Sequence, residues 1–206
     1  MKQLISLIFL LLFFSTCKEK SVDLHGIVNA YIKEKNTKNE PPLIVVIFEK
    51  TIPLKTAMEI PEPPGSLYLE EIESPNFEGF LEKNILSKEE IEFMKAQLHP
   101  TEKPYNELPF YFLDSARISL PIMTELEYKE IFSISKNSYD CWDTYYSKYK
   151  GCYISFSNPL FNKEKSKVYF QTSQMCGRLY GHGEIVVMEK SKNGWEIIYR
   201  AETWES

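Results

Sequence analysis

The chain has 206 residues, of which 43% are hydrophobic, 14% aromatic and 26% charged, with a net charge of −5. That is enough apolar material for one domain with a real core. A mildly acidic chain without a basic cluster argues against a nucleic-acid partner, whose phosphates need neutralising by Lys and Arg.

The N-terminus reads Met1-Lys2-Gln3, an almost unbroken apolar run over residues 4–14, then Ser15-Thr16-Cys17 and the charged Lys18-Glu19-Lys20. A positive start, a short apolar core and small residues before a cleavage point are the parts of a secretory signal. The apolar core is about half the ~20 residues of a bilayer-spanning helix, so a cleaved leader is favoured over a permanent transmembrane anchor. Phe14-Ser15-Thr16-Cys17 resembles the lipobox of bacterial lipoproteins, although Phe14 stands where most lipoboxes carry Leu. The resemblance implies that Cys17 receives a diacylglyceryl group and becomes the new N-terminus. Residues 1–16 are then a lipoprotein signal peptide, 17–22 the lipidated cysteine and its tether, and 23–206 a single α+β domain. Losing Lys2 with the leader takes the charge from −5 to −6. Stable anchoring needs more than one acyl chain. Lys18-Glu19-Lys20 is similar to the charged tethers that send some Bacteroidetes lipoproteins to the cell surface, and such a stretch is also an ordinary solvated spacer.

Leu24, Ile27, Val28 and Tyr31 fall at helical spacing within residues 23–35. The proline pair Pro41-Pro42 follows, then an apolar, β-branched run over residues 43–48 that reads as a buried strand. Residues 53–75 are rich in proline and acid and predict a loop or edge excursion, with a short strand at Leu67-Tyr68-Leu69. Ser87-Lys88-Glu89-Glu90 is a capping box, opening a helix whose apolar face is Ile91, Met94 and Leu98, closed by Pro100. A short strand is expected through Ile118 and Leu120, and Thr124-Glu125-Leu126-Glu127 predicts a capped turn or helix. Asp140 is the expected N-cap of a helix over residues 141–150, with Gly151 in the left-handed position after it. Residues 152–157, 167–174, 183–190 and 194–204 read as four strands joined by hairpins at 162–166 and 191–194.

With Cys17 acylated, Cys141, Cys152 and Cys176 remain, and three cysteines cannot all pair within one chain. Centring the first hairpin on Glu164 makes residues equidistant from it face one another, and Cys152 and Cys176 are such a pair. The even positions (Cys152, Ile154, Phe156, Val168, Phe170, Cys176) then form a core face. The odd ones (Tyr153, Ser155, Ser157, Tyr169, Gln171, Ser173) form a solvent face. A Cys141–Cys152 bond is disfavoured, because a helix between them holds its ends roughly 13 Å apart. A bulge at Ser157-Asn158-Pro159 would shift the register by one. Buried thiols are the alternative to a bond.

The segments Ser155-Phe156-Ser157, Phe161-Asn162-Lys163, Val168-Tyr169, Cys176-Gly177, Gly181-His182-Gly183 and Asn193-Gly194-Trp195 together resemble the C-terminal third of a group of uncharacterised Bacteroidetes-type lipoproteins. Tyr180 stands where those proteins often carry a second cysteine. The resemblance implies fold and cellular address, and no activity.

The one polar cluster that stands out joins Cys176, Arg178, Tyr180 and His182 around a glycine-rich turn. A Cys–His pair could serve nucleophilic or metal chemistry, but no third orienting group has recognisable spacing, and a metal needs more ligands. The plainer reading makes Gly177, Gly181 and Gly183 hairpin residues with His182 exposed. The acidic runs Glu70, Glu71, Glu73 and Glu89, Glu90, Glu92 read as solvated faces. Trp142, Tyr145, Tyr146 and Tyr149 read as packing against the sheet rather than as a ligand-stacking surface. No catalytic residue, cofactor or metal follows. The expected architecture is α+β: helices on one face of a mostly antiparallel sheet ending in a four-strand meander. The expected function is a lipid-anchored envelope protein, in the outer membrane and open to surface exposure. It would work as a binding or envelope-maintenance module whose protein or small-molecule partner the sequence does not name. The rival is an exported hydrolase using Cys176 and His182.

Overall fold

A computed structural model describes residues 23–37, 43–54, 75–77, 79–99, 109–133, 138–178 and 180–205. The proposed leader and tether, Leu67-Tyr68-Leu69, Glu70, Glu71, Glu73 and Pro100 lie outside the described residues. Among the described residues, four helices, α1 (Leu24–Thr37), α2 (Lys88–Lys95), α3 (Glu125–Ser133) and α4 (Ser138–Lys148), accompany seven strands. The strands are β1 (Ile44–Phe48), β2 (Ile122–Met123), β3 (Cys152–Phe156), β4 (Leu160–Phe161), β5 (Lys167–Met175), β6 (Gly181–Ser191) and β7 (Gly194–Glu205).

They make one sheet in the order β2-β1-β3-β5-β6-β7, with β4 beside β5. The C-terminal strands form the expected antiparallel meander. The fold is α+β as the sequence predicts, with one addition. β1 pairs in parallel with both β2 and β3, which places its apolar run in the interior.

The sheet is covered on both faces. Leu24, Ile27, Val28, Tyr31 and Ile32 of α1 pack on the even face, against Ile154, Phe156, Val168, Phe170 and Val186. On the other face, α3 and α4 cover Val46, Phe48, Tyr153 and Met175. There α2 and the turn before it cover Tyr169, Ile185 and Val187. The expected solvent face is therefore buried. Three of its polar residues are tied to one another there: Gln171 N donates to Ser157 Oγ (2.9 Å), and Gln171 Nε2 donates to Tyr169 Oη (2.9 Å).

The register has an instructive origin. β4 and β5 pair Leu160 with Tyr169 and Phe161 with Val168, so the hairpin is centred between Glu164 and Lys165, half a residue later than the sequence suggests. β3 and β5 pair Phe156 with Thr172, one step out of line with that hairpin. An extra residue within Ser157-Asn158-Pro159 supplies the step as a bulge, and it brings Cys152 opposite Cys176. The turn is pinned by Asn162 Oδ1, which accepts from Ser166 N and Lys167 N at 2.9 Å each, while Lys165 takes a left-handed φ of 53°.

Local capping follows the sequence at two helices. Ser87 and Glu90 form the full capping box, and at α3 Glu127 N donates to Thr124 Oγ1 (3.1 Å) while Thr124 N donates to Glu127 Oε2 (3.3 Å). At α1, for which the sequence predicts no cap, Asp23 Oδ1 accepts from Gly26 N (3.2 Å). Glu90 also accepts from Asn162 Nδ2 (2.9 Å) and Lys167 Nζ (3.2 Å), tying α2 to the hairpin. Ser87→Ala is expected to cost about 1 kcal/mol in urea unfolding. A midpoint equal to wild type would show that the cap contributes nothing.

Three local expectations change. Residues 114–117 form a turn in which Asp114 Oδ1 accepts from Ala116 N (2.9 Å), and the strand lies just beyond, at Ile122–Met123. α4 begins at Ser138, so Asp140 is inside it rather than capping it. Gly151 has no left-handed φ: its role is close approach, since a Cβ there would lie 2.7 Å from the Leu43 carbonyl oxygen and 2.6 Å from Val45 Cγ1. The edge strand β7 carries two bulges, where Ile198 and Thr203 have no partner in the β6 ladder.

Candidate functional site: a buried carboxylate beside the disulfide

The even face of β5 and β6 carries polar side chains at the end where α1 finishes. Tyr31 and Lys35, one helical turn apart, reach down from α1 onto Glu184 of β6. Tyr31 Oη donates to Glu184 Oε2 (2.7 Å) and lies 3.3 Å from Thr172 Oγ1, and Lys35 Nζ donates to Glu184 Oε1 (2.9 Å). His182 Nε2 and Arg200 Nε each stand 3.9 Å from the same Oε1. The Glu184 side chain is only 9% exposed.

Burial alone pushes the Glu184 carboxyl upward. The bonds from Lys35 and Tyr31, with the charges of Lys35 and Arg200, outweigh it and hold the group below its ordinary value. His182 is held below its ordinary value by burial first and by the Lys35 charge second, against the opposing pull of Glu184, Glu202 and Glu205. Tyr31 is pushed well up by burial and by the neighbouring carboxylate, so it remains a donor. The arrangement is an ionised Glu184 with both oxygens occupied, beside a neutral His182. It clamps helix to sheet; no group in it is poised as a nucleophile.

Cys152 and Cys176 are bonded (S–S 2.02 Å, Cα–Cα 4.1 Å), as the register argument expects. Gln174 Nε2 donates to Cys176 Sγ (3.4 Å), placing the bond next to the network along β5. Cys141 keeps a buried thiol directed at the Phe132 carbonyl (3.8 Å).

The expected cluster of Cys176, Arg178, Tyr180 and His182 is thus divided. Cys176 is bonded to Cys152, and its amide donates to the Tyr180 carbonyl (2.9 Å). Arg178 and Tyr180 are exposed, the Tyr180 ring meeting the His182 ring edge to face (6.4 Å), while His182 is a strand residue largely buried toward Glu184, not a turn residue in solvent. Gly181 and Gly183 lie within β6, where they make room for Trp204: a Cβ on Gly183 would meet its Nε1 at 2.1 Å. Sequence reading missed Tyr31, Lys35, Thr172, Glu184 and Arg200. One signal was available: Glu184 has the parity of Val186 and Met188, an acid on a core face.

Elsewhere, Trp142 and Tyr145 of α4 are buried against Phe132 and Tyr153, which is core packing. Glu89 and Glu92 are exposed, whereas Glu90 works in the capping box. A cleft of about 260 Å³ is lined by Leu54, Gln97, His99, Tyr111, Asn158 and Leu160. The polar atoms of Gln97 and Asn158 are already spent on the Phe161 backbone, Thr51 and the Pro109 carbonyl. Among the described residues no three His, Cys, Asp or Glu side chains could together hold a metal ion. No family model, no curated protein and no solved structure matches the chain.

Proposed function

We propose that the chain is an exported, lipid-anchored envelope protein, acylated at Cys17, whose folded body serves by binding or envelope maintenance rather than by covalent catalysis. The observation that carries this reading is the Cys152–Cys176 bond. Structural disulfides belong to oxidising compartments, which a chain reaches by export, and the leader ending in Cys17 supplies the route. The same bond weighs against a hydrolase built on Cys176 and His182, because it occupies the sulfur that would attack. The two-sided, satisfied packing of Glu184 points the same way: it rigidifies the domain instead of presenting a reactive group. The outer membrane is the destination this reading favours, with Lys18-Glu19-Lys20 as a tether toward the surface.

Cys17→Ser is the direct test. Wild type should incorporate labelled fatty acid and sediment with membranes, and the variant should lose the label and appear in the soluble fraction or accumulate as uncleaved precursor. Wild-type protein that starts at Met1 and stays unlabelled in the cytosol would end the reading.

A further inference from the structure

The position where the tether joins the domain identifies the face turned toward the membrane. Five residues, 18–22, separate the proposed acylated cysteine from Asp23, and even fully extended the stretch from Cys17 to Asp23 spans at most roughly 20 Å. The first turns of α1 are fastened to one neighbouring segment. Asp114 N donates to His25 Nε2 (3.0 Å), Asn29 Nδ2 donates to the Arg117 carbonyl (2.7 Å), and Ser119 N donates to Asn29 Oδ1 (2.9 Å). Two residues before Asp114 is Phe112.

Phe112 belongs to a strip held rigidly against the chain after β1. Leu113 N donates to the Glu49 carbonyl (2.8 Å), Thr51 N to the Tyr111 carbonyl (3.0 Å), and Tyr111 N to Thr51 Oγ1 (2.9 Å); Lys50 and Phe112 form an antiparallel bridge. Extended backbone puts Phe110 and Phe112 on one side of the strip, and their rings meet edge to face at 5.1 Å. Phe112 is 64% exposed, Tyr111 45% and Phe110 37%. Two exposed phenyl rings side by side, fixed by backbone bonds, are a costly surface for a domain wholly in water. Arg117 is exposed in the same neighbourhood and bears electrostatically on His25.

We infer that the paired rings of Phe110 and Phe112 are a second membrane contact, seated at the headgroup level of the bilayer to which the Cys17 anchor holds the chain. Aromatic rings favour that zone. The short tether keeps the strip within reach of the interface, so seating it needs little further ordering. The inference rests on the lipid-anchored reading of the preceding section.

The test uses the mature protein purified from membranes and reconstituted into phosphatidylethanolamine–phosphatidylglycerol vesicles containing a photoactivatable diazirine phospholipid. After irradiation, digestion and mass spectrometry, adducts on the peptide carrying residues 109–113 should exceed, several-fold, those on the peptide carrying Ile198. Ile198 lies on β7, four strand spacings of ~4.8 Å from β1 across the sheet, and serves as the far-side reference. Phe110→Ser with Phe112→Ser, both at exposed positions, should abolish the excess while the protein stays in the vesicles. Equal labelling of the two peptides, or labelling led by β7, with an acylated Cys17 peptide in the same digest, would overturn the membrane contact and leave the anchor standing. A Cys17 peptide without acyl chains would overturn the anchor, and this inference with it.

Discussion

Glu184→Ala should lower the unfolding free energy by about 3 kcal/mol, as expected when one partner of a buried ion pair is removed and the other is left behind. The loss falls at the lower end for such pairs because Lys35 and Arg200 are 19% and 30% exposed and keep some access to water. Tyr31→Phe removes a single hydroxyl from the same carboxylate and should cost about 1 kcal/mol. The pH dependence separates a charge network from simple loss of packing. Glu184 titrates below its ordinary 4.5 in the folded protein, so its contribution is complete above that value and fades as pH falls through the folded one. The gap between wild type and Glu184→Ala in urea unfolding should therefore narrow in acid below pH 4.5. His182, held below 6.5, adds an earlier slope of the same sign, because the unfolded chain takes up its proton first. That earlier slope should steepen in the variant, where the carboxylate no longer helps His182 protonate. A gap that stays constant into acid would mean that the charge on Glu184 is immaterial.

Replacing both Cys152 and Cys176 by alanine should cost about 3 kcal/mol, on the order of 10 °C in Tm. The bond spans a sequence separation of 24 and joins neighbouring strands already held by the β3–β5 ladder. Its main effect is thus to restrict the unfolded chain rather than to add contacts to the folded one. Reductant should bring the wild type down to the level of the double variant and leave that variant unmoved. Cys141→Ala, which takes a thiol out of the α3–α4 cluster, should keep its response to reductant. A wild-type melting curve indifferent to reductant would contradict the bond.

How much of this was legible in the sequence depended on how local the cause was. The meander was readable because period-two alternation and turn residues lie within a few positions of each other, and the Ser87–Glu90 box because its partners are three apart. The cysteine pairing was read correctly although the hairpin centre was not: the half-residue error at Glu164 was absorbed by the bulge that was regarded as the main threat to it. What stayed hidden was non-local. Tyr31 and Lys35 meet Glu184 across 153 and 149 residues, and no spacing rule reaches that far. The buried odd face was misread because Ser157 and Gln171 look solvated until their bonds to each other and to Tyr169 are known. Two-residue β2 is too short to carry any period, and its place beside β1 follows from parallel pairing alone.

The two interruptions in β7 bear on how copies of this protein behave when crowded together. A twelve-residue outer strand with an even row of free amides would invite a neighbour's strand to zip onto it, the first step of fibrillar assembly. Ile198 and Thr203 break that row into pieces too short and too twisted to serve as a template, and at the opposite margin β2 offers only two residues. Neighbouring molecules at high lateral density should therefore remain separate bodies, and deleting Ile198 to straighten the strand should make them clump.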